Sequence, residues 1–393
     1  MQRESREGVL WQREIAELQS RSLHRVMPKI DGLPGRFVTV NGIRAVNFSS
    51  NNYLGLAGHP QLIERAAQYA ARYGAGSTAS RLIAGNNEPH RELESFIAAW
   101  KGTEAALVFG SGYQANVGIL SSLARKGDLI ISDELNHASI IDGCRLSGAQ
   151  VKVYPHRDLG RLESWVKLTG FGRKIVVTES VFSMDGDVAP LAEIAALCSR
   201  EGAVLMVDEA HATGAIGPKG TGVAAELGIV PDIQMGTLGK AVGAAGAYVA
   251  GGTHLIELLT NRARSLIYTT APAPAVVGAA LAGLAIIASQ EGEERRTRLK
   301  TNVQRFAGIM FDTMGVSSGS THIYPFTIGD SSLTMNVSRA CLQRGVFAHG
   351  IRYPTVPEGS ARIRFTLMSD HTAEDLELAV ATLDQSLAEE RNN

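Results

Sequence analysis

The chain has 393 residues, 45% of them hydrophobic and 20% charged, the composition of a globular protein long enough to bury its own core. Its 38 basic and 39 acidic side chains leave a net charge of −1, which excludes a chain-wide basic track and hence a nucleic-acid partner. Three scattered cysteines, Cys144, Cys198 and Cys341, exclude a disulfide framework or a zinc cage and point to a reducing, cytoplasmic setting.

Residues 1–48 read as an N-terminal helix followed by short strands. MQRESREGVLWQREIAELQ lacks the apolar stretch of a secretory signal and reads as a short amphipathic helix with Leu10, Ile15 and Leu18 as its contacts. Residues 49–284 read as a large α/β domain. In Glu88 to Lys101, Leu93, Phe96, Ile97 and Trp100 fall on one helical face. Apolar runs then recur as strands: ALVFG (106–110), DLIISD (128–133), VKVY (151–154), KIVVTES (174–180), AVLMVDE (203–209), IQMGTL (233–238) and GAYVAGG (246–252). Between them, Leu191, Ile194, Ala195 and Cys198 mark another helix. Strands alternating with helices predict a mostly parallel sheet covered on both faces. Ala271 to Ala288 carries no charge and approaches spanning length, but its Ala/Gly content and two prolines predict a tightly packed buried helix and no membrane span. From 285 to 393 the pattern predicts a smaller α+β domain. It has a charged helix over 291–314, strands in TIGD, VFAHGIR and ARIRFTL, and a last helix capped by Thr372.

Three stretches carry chemistry. MVDEAHATG (206–214) contains the letters of a helicase ATPase box, but the phosphate cradle that chemistry requires is missing. At Gly239-Lys240, Ala241 stands where Ser or Thr belongs, and Gln234 replaces the first glycine. GSGYQA (110–115) follows a strand and opens a helix, with Asp133 about 20 residues on, so a dinucleotide oxidoreductase is an alternative. The pattern itself reports only a phosphate at a helix N-terminus. In TLGKAVGAAG, Lys240 sits among Gly236, Gly239, Gly243 and Gly246, crowding that would let a flat group lie against the backbone. A desolvated lysine beside an aldehyde forms a Schiff base. Asp208, ending the run AVLMV, would hold the proton of a pyridine nitrogen.

The chain resembles the α-oxoamine synthases, fold-type I enzymes that use pyridoxal 5′-phosphate (PLP) to condense an amino acid with an acyl thioester and release CO2. The likeness rests on FSSNNYLGLAGHP (48–60), GAGSTASRLIAGNNEPHRELE (74–94), FGSGYQAN (109–116), SDELNHASIIDGCRLS (132–147), TESVFSMDGDVAPL (178–191), DEAHATGAIG (208–217), TLGKAVG (237–243) and IRYPTVPEGSARIRFTL (351–367). Lys240, His137, Asp208 and His211 would be catalytic by this resemblance. Lys240 would hold PLP, Asp208 would pair its ring nitrogen, and Ser183 and His211 would bond its phenolic oxygen. His137 would stack on the ring, and Gly112, Tyr113 and Thr237 would hold the phosphate. Thr269 or Thr270, with Thr270 the choice here, would reach the phosphate of a partner subunit in a homodimer. Asn51 and Arg364 would bind the amino-acid carboxylate, and Thr355 and Arg25 the acyl group of an acyl-CoA or acyl-carrier protein. Within the family, 351–367 points to the branch joining L-alanine to a pimeloyl thioester; glycine- and serine-using branches and a non-catalytic subunit are the alternatives. Two residues depart from the family pattern, Ala212 after DEAH and Tyr353 before PTVP.

Overall fold

The computed structural model describes residues 6–317 and 319–392. Met1–Ser5, read above as part of the N-terminal segment, lie outside the described residues. Three short strands come first, β1 (Ile30–Asp31), β2 (Phe37–Val40) and β3 (Ile43–Asn47). Seven follow: β4 (Ala105–Phe109), β5 (Leu129–Asp133), β6 (Gln150–Tyr154), β7 (Lys174–Glu179), β8 (Val204–Asp208), β9 (Ile233–Thr237) and β10 (Ala247–Gly251). The last four are β11 (Ile323–Gly329), β12 (Val346–Phe347), β13 (His349–Ile351) and β14 (Ala361–Thr366).

The seven middle strands, all present in the apolar runs, form one sheet in the order β4-β10-β9-β8-β7-β5-β6. Only β10 runs against its neighbours β4 and β9, so the other six point the same way. The alternation of side chains explains why each run is apolar throughout. Ile130, Ile175, Val177 and Met206 face one way, onto Ile119, Leu120, Ile140 and Leu259. Their neighbours Ile131, Val176, Leu205 and Val207 face the other way, onto Leu162, Val166, Leu191 and Ile194. Truncating one such side chain to Ala costs about 2–5 kcal/mol. The helix Glu88–Lys101 forms as expected and stops at Gly102, which adopts the left-handed conformation at φ 66°. Leu93 and Ile97 are fully buried, while Phe96 and Trp100 pack at the margin.

The Ala/Gly helix Pro274–Ala288 is buried because its small residues admit close neighbours. A Cβ at Gly278 would lie 2.7 Å from the Tyr69 ring, and one at Gly283 would lie 2.3 Å from the Val242 carbonyl. Among the described residues, no single helix is long and apolar enough to cross a membrane.

The remaining strands form two small sheets, β1-β2-β3-β12 and β11-β14-β13. VFAHGIR is therefore not one strand: the chain turns at Ala348, leaving β12 parallel to β3 and β13 antiparallel to β14. Phe48, Phe306 and Phe365 cluster with ring centroids 5.3–6.2 Å apart and join the N-terminal segment to the C-terminal one. The helix Ala373–Asn392 begins immediately after Thr372, whose amide donates to Asp375 Oδ2 (2.8 Å), while its hydroxyl accepts from Arg36. The N-terminal helix Arg6–Ser20 forms, but Leu10, Ile15 and Leu18 are 43–55% exposed and make no core contact. Amphipathic spacing specifies the helix without specifying where its face packs.

Candidate active site

Thr237, Asp208, Glu179 and Asp133 are the last residues of the adjacent strands β9, β8, β7 and β5. Parallel strands thus put three buried carboxylates in a row along the edge where α/β sheets bind ligands. Like charges in a row must be neutralised, protonated or hydrogen-bonded. Each of the three meets this differently.

Asp208 accepts from Asn116 Nδ2 (2.8 Å) and from the Ala210 amide (2.8 Å). No side-chain cation of the described residues lies within ion-pair reach of it. Glu179 accepts the backbone amide of His137 at 2.5 Å. Burial, then the charge of Asp208, pushes its carboxyl well above the ordinary range, against the pull of Lys240. Asp133 faces His156, with Oδ1 3.1 Å from Nδ1, and accepts the Leu135 amide (2.9 Å). It is thereby committed inside the fold and holds no ribose, which removes the main support for a dinucleotide site.

Lys240 follows β9 in the turn leading to β10 and places Nζ 2.7 Å from His211 Nε2. Burial lowers the amine to about 8, Arg364 adds to the fall, and Asp208 and Glu179 oppose it. Burial, then the charges of Lys240 and Arg364, drives His211 well below the ordinary imidazole range, so its ring is neutral. With Lys240 donating to Nε2, the network assigns the one ring proton to Nδ1, 2.5 Å from the Tyr53 hydroxyl. That hydroxyl donates to Asn51 Oδ1 (3.1 Å). His322 closes the back of the site, 4.0 Å from the Tyr53 ring between centroids, and burial holds it down to about 3.

Arg364 lies in the fully buried strand β14. Its Nε donates to the Ser183 carbonyl (2.7 Å) and its Nη1 to Thr366 Oγ1 (2.8 Å). Both Nη groups reach Asn51 Oδ1 at 3.3–3.4 Å. Asn51, Ser183, His211 and Arg364 therefore meet at one place. His137 caps the helix Ala138–Ser147, its Nδ1 accepting from the Ser139 amide (3.2 Å), and leaves its ring exposed. At the end of β4, Ser111 caps the helix Gly112–Leu123, so the first-turn amides of Gly112 and Tyr113 have no intrahelical acceptor. A Cβ at Gly112 would lie 3.2 Å from Met235 Cε. Tyr113 anchors its ring through Asp142 Oδ2 (2.6 Å). Thr237 Oγ1 donates to the Gly246 carbonyl (3.0 Å) and accepts the Gly239 amide (3.2 Å).

Arg25 and Thr355, 330 residues apart, meet at 3.4 Å on the exposed rim. Tyr353 stands beside them and lines a cavity of about 250 Å³ with Leu23, Asp330 and Glu358. Thr270 is exposed, on a segment held by the Ala271 amide to the Ala79 carbonyl (3.0 Å). Ala212 is fully buried, so its methyl is accommodated. A larger cavity, about 950 Å³, lies between residues 215–227 and the helix Gln290–Met314 and touches the site's outer partner His322.

Two of the glycines around Lys240, Gly236 and Gly243, have another reason than the one expected. A Cβ at Gly236 would lie 2.4 Å from the Tyr248 hydroxyl, and one at Gly243 (φ 78°) would lie 2.6 Å from the Ala57 amide. These positions serve close packing and left-handed turns rather than room for a flat ring. Asn116, Tyr53, Glu179 and the Lys101–Glu209 pair escaped the sequence reading. Asn116 was the most legible, an amide directly after the GSGYQA motif.

The donor set fits PLP. Asp208 is a buried carboxylate without a cation, which a pyridinium N–H would satisfy. Lys240 supplies a desolvated amine, and the helix Gly112–Leu123 presents its N-terminus to a phosphate.

Residues 43–383 match the family described as aminotransferase class I and II. The chain is 47% identical over 379 residues to the 8-amino-7-oxononanoate synthase of Citrifermentans bemidjiense, covering 95% of this chain and 96% of the other. Serine palmitoyltransferase from S. paucimobilis, solved with a bound PLP–myriocin aldimine, superposes with a TM-score of 0.90 at 28% identity, covering 98% of each chain. The 8-amino-7-oxononanoate synthase of Francisella tularensis superposes with a TM-score of 0.76 at 29% identity, covering 88% of this chain and 99% of that one.

Proposed function

The chain belongs to the aminotransferase class I and II family, and we propose that it is a PLP-dependent acyltransferase of biotin synthesis. It condenses L-alanine with a pimeloyl thioester, of CoA or acyl-carrier protein, to 8-amino-7-oxononanoate, CO2 and free thiol. The observation that carries this is a desolvated Lys240 amine in the turn after β9 together with a buried Asp208, at the end of the neighbouring strand β8, that has no side-chain cation of the described residues within ion-pair reach. The choice of alanine over serine follows the 47% identity along nearly the whole chain, since backbone superposition at 28–29% identity does not separate the two branches.

When bound, PLP supplies an aldehyde for Schiff-base formation and a pyridinium ring that takes up the electron pair of a substrate carbanion. Lys240 Nζ would hold the aldehyde of the cofactor and, as a free amine, would take the α-proton of the amino acid. Asp208, its oxygens fixed by Asn116 and the Ala210 amide, would keep the ring nitrogen protonated. His211 and Ser183 would bond the phenolic oxygen, and His137 would cover the ring face. The Gly112 and Tyr113 amides and Thr237 would receive the phosphate. Arg364, steadied by Asn51, binds the alanine carboxylate and so turns its α-hydrogen toward Lys240. Arg25 and Thr355 contact the acyl chain. Attack of the alanine α-carbon on the thioester carbonyl would form a C–C bond and break the C–S bond, the thiolate leaving to take up a proton, and loss of the alanine carboxylate as CO2 would leave the α-carbon to take back the proton held by Lys240.

In this reading the enzyme is a cytoplasmic homodimer, and Thr270 serves the partner's phosphate. Support comes from exposed Leu82, Ile83 and Tyr268 (50–81% exposed) around the Ala79–Ala271 contact, an apolar patch of the kind that marks an interface. The test is thiol release by the PLP-loaded protein with alanine, glycine or serine against acyl-CoAs of several lengths. Alanine with pimeloyl-CoA is expected to lead; preference for serine with a long acyl chain, or for glycine with acetyl-CoA, overturns the assignment.

A further inference from the structure

His156 stands two residues past the end of β6 and bonds a carboxylate with each ring nitrogen. Nδ1 lies 3.1 Å from Asp133 Oδ1, and Nε2 lies 2.8 Å from Asp187 Oδ2. The two acids belong to different segments of the active site. Asp133 opens the segment Glu134–Leu135–Asn136 that leads to His137. Asp187 closes the turn carrying Ser183, in which the Phe182 amide donates to the Asp187 carbonyl (3.0 Å) and Val181 pairs with Val188. The ring is 17% exposed and meets Phe182 edge-on at 4.4 Å.

Two carboxylate partners require two N–H donors, which only the imidazolium has. Burial opposes its charge, but the hydrogen bonds and charges of Asp133 and Asp187 outweigh this and hold it up to about 9. The groups around it come from three segments. Beside Asp133, Glu134 accepts the His156 amide (2.7 Å). In the turn, Asp187 faces the ring while Asp185 bonds Arg362 at 2.5 Å. From its own segment, Arg157 lies 3.7 Å from Asp187 Oδ2, and the buried Tyr154 hydroxyl faces Asp133.

We propose that His156, clipping Asp133 to Asp187, is a positioning residue for the condensation. It sets the separation between the His137 segment and the Ser183 turn, and with it the pose of cofactor and substrate between them. This rests on the roles given above to His137 and Ser183. Removing the clip leaves two acids facing each other across segments that must hold sub-ångström geometry, a displacement that costs rate rather than affinity.

The experiment compares PLP-loaded wild type and His156→Gln in thiol release from pimeloyl-CoA with alanine, across pH, alongside thermal melting. The expected result is a fall in kcat of about ten- to hundred-fold, with the KM for pimeloyl-CoA little changed. The wild-type alkaline limb near pH 9 should be absent from the variant. Asp187→Asn should reproduce the loss, and the double variant should be no slower than the slower single one. Nitrogen-15 histidine spectra of the wild type should show one imidazolium persisting above pH 8 and lost in His156→Gln. An unchanged kcat with a lowered melting temperature, or a neutral His156 ring at pH 7, overturns the proposal. If His156→Gln does not fold, Asp187→Asn and the wild-type spectra give the same decision. A wild type that releases no thiol would sink the function instead.

Discussion

Lys240 Nζ stands 2.7 Å from Nε2 of a His211 that burial keeps neutral. A neutral imidazole accepts a hydrogen bond from the amine without repelling it as a second cation would. The lysine still sits with its proton held less tightly than in water, at about 8 rather than 10.5. Two consequences follow, one for cofactor capture and one for stability.

Only the unprotonated amine attacks an aldehyde. Stripped of PLP and given it back, the protein should capture the cofactor at a rate that rises with pH to a midpoint near 8, followed by visible absorbance. A midpoint near 10.5 would mean that the amine is not desolvated. The stability effect has a defined sign. Below 8 the folded state holds a charged amine that the unfolded chain solvates better. Between 8 and 10.5 the unfolded chain binds more protons than the folded one, so folding stability from this group rises with pH. Lys240→Met without cofactor should therefore melt above the cofactor-free wild type at pH 7, and the difference should close above pH 10.5.

Lys101 and Glu209 form an ion pair at 2.7 Å with side chains 0–1% exposed, beneath the turn that presents His211. Lys101 also donates to the Thr221 carbonyl, and Glu209 accepts the Ala224 amide (2.9 Å). Lys101→Met alone leaves a buried, unbalanced carboxylate and should cost about 3–5 kcal/mol in chemical denaturation. Lys101→Met with Glu209→Gln should cost less than the first change alone. Additive losses would show that the two groups are stabilised independently.

The seven strands of the large sheet were legible because a strand covered on both faces must be apolar throughout. Asp208 was legible because a charged residue closing such a run needs a reason, and Lys240 because it stands among small residues just past one. What escaped depends on residues that meet only in the fold. Nothing in SSNNYLG marks Tyr53 as the partner of His211, and nothing in KIVVTES shows Glu179 holding the amide of His137. The break at Ala348 was hidden for the same reason, since Val346–Phe347 and His349–Ile351 each fit a strand but pair with different sheets. The glycines at 236 and 243 were seen but assigned to the wrong neighbour, the ligand instead of Tyr248 and the Ala57 backbone.

Arg364 offers a separable test of substrate binding. Its Nε is committed to Ser183 and its Nη1 to Thr366, while the longer contacts of both Nη groups of its planar fork to Asn51, at 3.3–3.4 Å, are the ones a substrate carboxylate would replace. Arg364→Lys keeps the charge and loses the fork, and should raise the KM for alanine by about tenfold or more, with the KM for the acyl thioester unchanged. Equal rises in both constants would place Arg364 in general support of the site.

Reduction with borohydride, followed by peptide mass spectrometry, addresses the covalent chemistry itself. The PLP-loaded wild type should lose its visible absorbance and carry a single pyridoxyl group on Lys240, and Lys240→Ala treated alike should carry none. A reduced adduct on any other lysine, or a Lys240→Ala variant that retains the label, would contradict the active site described here.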